Sequence, residues 1–207
     1  MITALVLILA AYLLGSLSGS LLLGRLRGVD IRTQGSGNAG GTNALRTQGW
    51  RFALGTVLVD VGKGALAAWL ARRFAGDAGV AYLAVLAAVA GHVWPVFHGF
   101  RGGKGAGTLV GGLLVLWPLA VLPLLAVWLL CLTITGYVGL ATILAAAALP
   151  AFAFAIGADG TRLAFALAVA AFIAFTHRAN LARLRAGNEH RFERARVLAR
   201  LFGKRPA

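Results

Sequence analysis

The feature that most constrains this chain is the length of its apolar runs. They cover most of the sequence, at 2–23, 52–74, 78–97, 106–135, 136–157 and 161–176. A helix needs about 20 apolar residues to cross a bilayer, and most of these runs reach or approach that length. Their residues are mainly Ala, Leu, Val and Gly, and the small ones let helices approach closely. We therefore predict an all-α integral membrane protein whose residues 1–207 form a single polytopic domain.

The charge of the chain is unusual for such an apolar sequence, since a 59% hydrophobic chain carries a formal net charge of +14. Nucleic-acid binding or the positive-inside bias of membrane proteins could explain it. Segment 24–51 carries +4, segment 98–105 carries +2 and segment 177–207 carries +7, which is 13 of the 14 charges. This clustering favours the membrane explanation and makes a nucleic-acid partner unnecessary. The basic tail 190–207 is expected to attract anionic headgroups, at about 1 kcal/mol per Lys or Arg.

The position of these charges predicts the topology. No positive charge precedes the first run and several Arg follow it, so the N-terminus should lie outside and the C-terminus in the cytoplasm. Loop 98–105 and the tail then share one side, which requires an even number of crossings between them. Run 106–135 is interrupted by Pro118 and Pro123 and is interpreted as a tight hairpin of two short helices, giving about seven spans. The alternative is five, with 106–135 not spanning.

Two polar segments rich in glycine are candidate anion sites. The first has four glycines between residues 35 and 41 and continues to Arg46, and a helix starting near Thr42 would point its N-terminus at an anion. The second is Gly102-Gly103-Lys104-Gly105, which offers backbone amides beside one cation. The alternatives are a flexible connecting loop for the first and a topology anchor for the second. The candidate binding residues are Ser36, Gly37, Asn38, Gly40, Gly41, Thr42, Asn43, Arg46, Gly102, Gly103 and Lys104.

Other polar residues occur in two further places. On a helix, His177 and Asn180 would share one face with Leu181 and Leu184, and would lie at the membrane boundary. A His at a helix end is commonly structural, but the two anion-ready loops favour an active-site role. Within an apolar span, Asp60 and Lys63 are three residues apart and are interpreted as a structural ion pair. Tyr137 and Thr142 are candidates to reach a substrate cavity inside the bundle.

Two classes of function fit these polar segments. One is an enzyme that joins a phosphorylated headgroup to a lipid-soluble partner, and the other is a transporter of an organic phosphate. A transporter is expected to place polar groups at the bilayer midplane, in broken helices. Here they cluster at one interface, which favours the enzyme.

Three motifs resemble those of a known family. GSGNAGGTNALR, GHVWPVFHGFRGGKG and HRANLARLRAGNE, in this order, are similar to the signatures of the bacterial acyl-phosphate:glycerol-3-phosphate acyltransferases, the PlsY family. The resemblance implies acyl transfer from acyl phosphate to the 1-position of glycerol 3-phosphate, without metal or cofactor. It also implies that the reaction takes place at the cytoplasmic face of the bacterial inner membrane. The enzyme that makes acyl phosphate is an expected partner.

The resemblance also implies roles for residues. Ser36 and Arg46 match essential residues, and the first glycine loop, through Asn43, matches one that holds a phosphate. Gly102, Gly103 and Lys104 match the motif linked to glycerol 3-phosphate. His177 and Asn180 match an active-site pair, and Glu189 matches a structural glutamate. Asp60 and Lys63 match a D-x-x-K-G feature. Gly139 and Thr142 stand where serines are common, Gly41 replaces alanine and Arg101 replaces lysine. The H-x-x-x-x-D pattern is absent after His177, where Ala182 takes the Asp position, which argues against the acyl-CoA class. The general base is either His177 or a substrate phosphate.

Overall fold

The structure is a computed structural model that describes residues 1–198, apart from the side chain of Arg194. Within this range the chain forms ten α-helices joined by short loops and 3-10 turns. They are α1 Ile2–Gly15, α2 Gly19–Leu26, α3 Gly41–Gln48, α4 Trp50–Phe74, α5 Ala78–Val93, α6 Ala106–Leu116, α7 Pro118–Thr135, α8 Val138–Ala155, α9 Gly160–Thr176 and α10 Arg178–Arg185. Arg200, Lys204 and Arg205 of the predicted basic tail lie outside the described residues.

The helices belong to two compact units, Met1–Pro118 and Leu119–Ala207. In the first unit α4 packs against α1, α2, α3, α5 and α6, and α1 also packs against α5. In the second unit α8 packs against α9, and the short α10 contacts both. The all-helical fold class is confirmed, whereas a single domain over 1–207 stays a prediction.

One buried cluster of the first unit consists of alanines, while many large apolar side chains of α1 and α4 face outward. Ala67, Ala71, Ala84 and Ala88 are buried in one cluster, which also contains Ala11 and Ala81. Exposed positions on α1 and α4 carry bulky residues, including Leu5, Leu9, Leu54, Leu58 and Trp69. This distribution is typical of helices packed in lipid, where small residues allow close approach and large ones contact acyl chains.

The number of membrane crossings remains a prediction. Four helices or helical stretches of the described part are long and apolar enough to cross a bilayer, and six if two bent pairs each count as one span. The bent pairs are α1 with α2, at 46°, and α9 with α10, at 56°. Helix α6 has 11 residues, which at 1.5 Å per residue is about 16 Å, well short of a hydrocarbon core of about 30 Å.

Run 106–135 forms two helices, as expected, but the break is not where both prolines stand. The chain leaves the helical conformation at Trp117, and Pro118 begins α7. Proline fits the first position of a helix, because the N–H that it lacks would have no hydrogen-bond partner within the helix there. Pro123 lies inside α7, so the expectation that it interrupts the run was wrong. One bond to the carbonyl four residues earlier is lost there, and the rest of the helix continues.

Asp60 and Lys63 hold the break between α1 and α2. The Gly19 N–H, at the start of α2, donates to Asp60 Oδ1 at 3.0 Å. Lys63 Nζ donates to the carbonyl oxygen of Leu17 at 3.1 Å and lies 3.0 Å from Asp60 Oδ1. Because a broken helix exposes backbone polar groups that lipid cannot satisfy, the pair stabilises the bend as well as neutralising its own charges.

We predict that Gly64→Ala will destabilise the first unit. A Cβ on Gly64 would overlap the backbone of Thr108 on α6, and overpacking of this kind costs about 1–3 kcal/mol. The thermal unfolding midpoint in detergent should fall. Gly62→Ala on the same helix is the control, since a Cβ there meets nothing within 4 Å. An equal fall for both variants would contradict the role of close backbone contact.

Candidate active site

The first glycine loop rests on an apolar base and leads directly into a helix. Ile31, Ala39, Ala44 and Phe52 are buried in one cluster, together with Leu21 and Ala53. Gly40 caps α3, which begins at Gly41, so the predicted helix start near Thr42 is confirmed to within one residue. The free N–H groups of its first turn favour an anion. Ser36 is exposed in the loop, and Arg46 is exposed on the last turn of α3.

Asn43 holds this loop in shape. Its Oδ1 accepts the N–H of Ser36 at 2.9 Å, and its Nδ2 donates to the carbonyl oxygens of Ile31 and Gln34 at 3.1 and 3.0 Å. The side chain is 1% exposed. The amide predicted to bind substrate is thus engaged with the backbone, and its contribution here is to shape the loop around Gly35 and Gly37, both with positive φ.

The second glycine loop follows a strained turn at the end of α5. Gly99, Phe100 and Gly105 have φ of 64°, 57° and 90°, and a non-glycine residue in this region costs of order 1–3 kcal/mol. The Phe100 N–H donates to the Pro95 carbonyl at 2.9 Å, which holds the turn closed. Gly105 then caps α6, so Lys104 lies next to a helix N-terminus.

Arg32, which lies just before the first glycine loop, stabilises the same turn through hydrogen bonds. Its Nη1 donates to the carbonyl oxygens of His98 and Arg101 at 2.9 and 3.3 Å. Its Nε and Nη2 bind the Asp30 carboxylate. These side-chain hydrogen bonds lower the pKa of Asp30 to about 2, so the carboxylate stays charged at any physiological pH. No local sequence pattern indicates a role for this pair, because the carbonyls that Arg32 binds are about 70 residues away in the chain.

The two glycine loops meet at Gly103. Its N–H donates to the His92 carbonyl at 3.1 Å, and the Gly102 N–H donates to the Val93 carbonyl at 3.1 Å. A Cβ on Gly103 would overlap His92 Nε2 and come within 2.8 Å of the Ala39 carbonyl. The second loop therefore lies against the first, and only glycine fits there. Two helix N-termini and the residues Arg46 and Lys104 belong to this one unit.

His92 joins the buried pair of α4. Its Nδ1 is 2.8 Å from Lys63 Nζ and 3.4 Å from Asp60 Oδ1, and the three side chains are buried. The expected ion pair of Asp60 and Lys63 is present, and a histidine extends it. His92 was visible in the second motif, but sequence alone could not show that it lies beside a charge pair 29 residues earlier.

The third polar segment lies in the second unit, where the helix breaks at His177. The helix predicted to carry His177 and Asn180 is the short α10, with His177 at its N-cap, and it is separate from α9, which ends at Thr176. His177 and Asn180 are both buried, at 5% and 6% exposed. His177 Nδ1 is 2.9 Å from the carbonyl oxygen of Ile173. Because a carbonyl only accepts, Nδ1 carries a proton, and in the neutral ring Nε2 is the nitrogen with the lone pair.

Glu189 fixes the orientation of Asn180. Its Oε1 accepts from Asn180 Nδ2 at 2.7 Å, and its Oε2 binds Arg183 Nε at 2.6 Å. The Glu189 side chain is 4% exposed. Gly139 packs against the same amide, since a Cβ there would come within 3 Å of the Asn180 side chain. The glycine at this position makes room for Asn180.

Thr142 makes its hydrogen bonds inside the second unit. Its hydroxyl donates to the Val138 carbonyl at 2.9 Å and accepts from Trp128 Nε1 at 3.2 Å. The Arg191 guanidinium lies over the ring of Tyr137, with its central carbon 4.7 Å from the ring centroid. Their predicted approach to a substrate cavity stays a prediction.

These features define a class of protein, a multi-pass helical membrane protein with glycine loops at helix N-termini. The profile of the glycerol-3-phosphate acyltransferase family matches residues 5–187. The chain belongs to this family, and it is an acyltransferase.

Similar proteins match more than nine-tenths of this chain. Glycerol-3-phosphate acyltransferases of Geotalea daltonii and Chlorobaculum parvum are 43% and 39% identical, over 94% and 92% of this chain and 100% and 97% of theirs. The crystal structure of PlsY, an integral membrane glycerol 3-phosphate acyltransferase, in its glycerol 3-phosphate form has a TM-score of 0.87. It is 39% identical over 96% of this chain and 98% of that chain. Its lysophosphatidic acid form has a TM-score of 0.86, with 39% identity over 94% and 98%.

We predict that Glu189→Ala will destabilise the second unit by about 1–3 kcal/mol, because the buried amide of Asn180 loses its acceptor and Arg183 its partner. The thermal unfolding midpoint should fall. Glu193→Ala is the matched control, since Glu193 is 55% exposed in its ion pairs with Arg191 and Arg196, and exposed pairs contribute about 0–1 kcal/mol. Equal effects of the two substitutions would refute the role of Glu189.

Proposed function

We propose that this protein transfers a fatty acyl group from acyl phosphate to the 1-hydroxyl of glycerol 3-phosphate, giving 1-acyl-glycerol 3-phosphate and phosphate. The observation that carries the proposal is the meeting of two glycine loops at Gly103, each of which leads into a helix N-terminus. Family membership supports the acceptor, because relatives carry the name glycerol-3-phosphate acyltransferase and a similar solved structure is a glycerol 3-phosphate form.

Both substrates of this reaction bear a phosphate, and the loops suit that chemistry. Backbone N–H groups at the N-termini of α3 and α6 can bind an anion directly, because the glycines beside them have no side chain to block its approach. Arg46 can bind phosphate through two parallel hydrogen bonds, and Lys104 supplies a compact charge. We assign the Gly102–Lys104 loop to the phosphate of glycerol 3-phosphate. Ser36 and Arg46, with the loop from Gly37 to Thr42, are assigned to the acyl phosphate.

The chemical step needs little more than positioning and charge stabilisation, because acyl phosphate is already activated. The 1-hydroxyl oxygen bonds to the acyl carbon, the bond from that carbon to the phosphate oxygen breaks, and the hydroxyl proton ends on the departing phosphate. The lone pair of His177 Nε2 suits it as the group that accepts this proton first. Asn180, held by Glu189, is assigned to orient the acceptor. The alternative is direct transfer of the proton to a substrate phosphate.

The charge distribution supports a membrane location and an orientation for this reaction. We place the protein in the bacterial inner membrane, with its N-terminus outside and its active site at the cytoplasmic face, where the basic segments meet anionic headgroups. The acyl chain would enter from the bilayer. An enzyme that makes acyl phosphate must supply the donor, and it is the expected functional partner.

We predict that the purified protein in detergent will form lysophosphatidate from acyl phosphate and glycerol 3-phosphate, with one inorganic phosphate released for each product. Acyl-CoA offered at the same concentration should give none, because the H-x-x-x-x-D pattern of that class is absent. Product from acyl-CoA alone would overturn the proposed donor. No product from either donor, together with uptake of glycerol 3-phosphate by vesicles that contain the protein, would favour a transporter.

We predict that His177→Ala will lower kcat by about 100-fold or more, because a general base contributes a factor of this size. The thermal midpoint should be measured beside kcat to show that the variant is folded. His190→Ala is the control, since His190 is exposed, and its kcat should stay within about twofold of the parent. A near-normal kcat for folded His177→Ala would leave a substrate phosphate as the base.

A further inference from the structure

His92 lies between the buried charge pair of α4 and the loop that carries Lys104. Its ring contacts Lys63 at one nitrogen, and the other nitrogen lies where a Cβ on Gly103 would be. Its carbonyl accepts the Gly103 N–H at 3.1 Å. The residue is 3% exposed, so its ring has little room to move. The His92 ring therefore lies directly against Gly103, the residue before Lys104.

Lys63 determines how this ring is oriented. Its ammonium group has three protons and three acceptors, which are the Leu17 carbonyl, Asp60 Oδ1 and His92 Nδ1, at 3.1, 3.0 and 2.8 Å. An ammonium has no lone pair and can only donate hydrogen bonds. His92 Nδ1 must then accept, so the neutral ring carries its proton on Nε2, the nitrogen that faces Gly103.

Charge balance alone does not require the histidine. Asp60 and Lys63 are 3.0 Å apart, three residues apart on one helix, and they neutralise each other without a third group. Asp60 Oδ1 is satisfied further by the Gly19 N–H. What His92 adds to the pair is its contact with Gly103. The cluster is thus connected to the glycine loop through one side chain.

We infer that Lys63 and His92 are positioning residues of the acyl transfer: Lys63 orients His92, and His92 sets the backbone of Gly102–Lys104. The inference rests on the proposed function, which assigns this loop to the phosphate of glycerol 3-phosphate. The loop serves the acceptor and not the acyl donor, so loss of its support should act on one substrate. A misplacement of about 1 Å costs on the order of 100-fold in enzymes.

The test is to measure KM for each substrate separately on purified full-length variants. His92→Asn keeps an acceptor for Lys63 at the position of Nδ1, but removes the ring edge beside Gly103. We expect its KM for glycerol 3-phosphate to rise about tenfold or more, with its KM for acyl phosphate within about twofold of the parent. His92→Gln places an amide nitrogen close to the position of Nε2 and should restore much of the affinity for glycerol 3-phosphate. Ser20→Ala, which removes a buried hydroxyl without a partner, should change neither KM.

A purely structural role gives a different result. It would lower the amount of active protein, so the apparent kcat would fall while both KM values stay unchanged, and that outcome overturns the inference. An equal rise of both KM values overturns it as well. If the parent protein forms no lysophosphatidate at all, it is the proposed function that fails.

Gly103→Ala provides a second test, and as a single variant it does not depend on the folding of the His92 variants. Its methyl group would collide with His92 Nε2 and come within 2.8 Å of the Ala39 carbonyl, and it should raise the KM for glycerol 3-phosphate more than the KM for acyl phosphate. In the double variant with His92→Asn, the KM should be no higher than in the worse single variant, because both substitutions disturb one contact. Fully additive effects, or no selective rise for Gly103→Ala, would overturn the inference.

Discussion

The ammonium group of Lys63 joins three helices whose polar atoms would otherwise lie unsatisfied in an apolar bundle. It donates to the Leu17 carbonyl in the break between α1 and α2, to Asp60 on its own helix, and to His92 at the end of α5. Burying a charge is unfavourable unless it is paired and hydrogen-bonded, and here all three protons have acceptors. The bend between α1 and α2, the ion pair with Asp60 and the position of His92 beside the Lys104 loop therefore all depend on the Lys63 ammonium.

Close backbone contact is the second condition for this arrangement. Gly15 and Gly91 lie against the backbones of α5 and α1, and Gly64 and Gly111 lie against those of α6 and α4. A Cβ at any of the four would overlap a main-chain atom of the facing helix. Association in lipid depends on packing and not on exclusion of water, so these contacts contribute directly to the stability of the unit. They also bring the ends of α4, α5 and α6 near enough for the loops to touch.

His92 and His177 have opposite hydrogen-bonding states, which the nearest partner of each Nδ1 decides. His92 Nδ1 faces an ammonium and must accept, so its Nε2 carries the proton. His177 Nδ1 faces a carbonyl and must donate, so its Nε2 has the lone pair. The first arrangement suits support of a loop, and the second suits removal of a proton from a hydroxyl. Residue type alone would not separate them, because the partner of the other nitrogen sets the role.

The sequence by itself determined the helical membrane class, the clustering of charge and the three polar segments, because these follow from composition and local periodicity. It also located the start of α3, since glycines before a short helix are a local signal. The tertiary structure alone decided that Pro123 continues a helix and that His177 ends one. It likewise decided that Asn43 shapes its loop, that His92 joins Asp60 and Lys63, and that Gly103 lies against the first loop. The last two depend on contacts between distant parts of the chain, and such contacts leave no pattern in a single sequence.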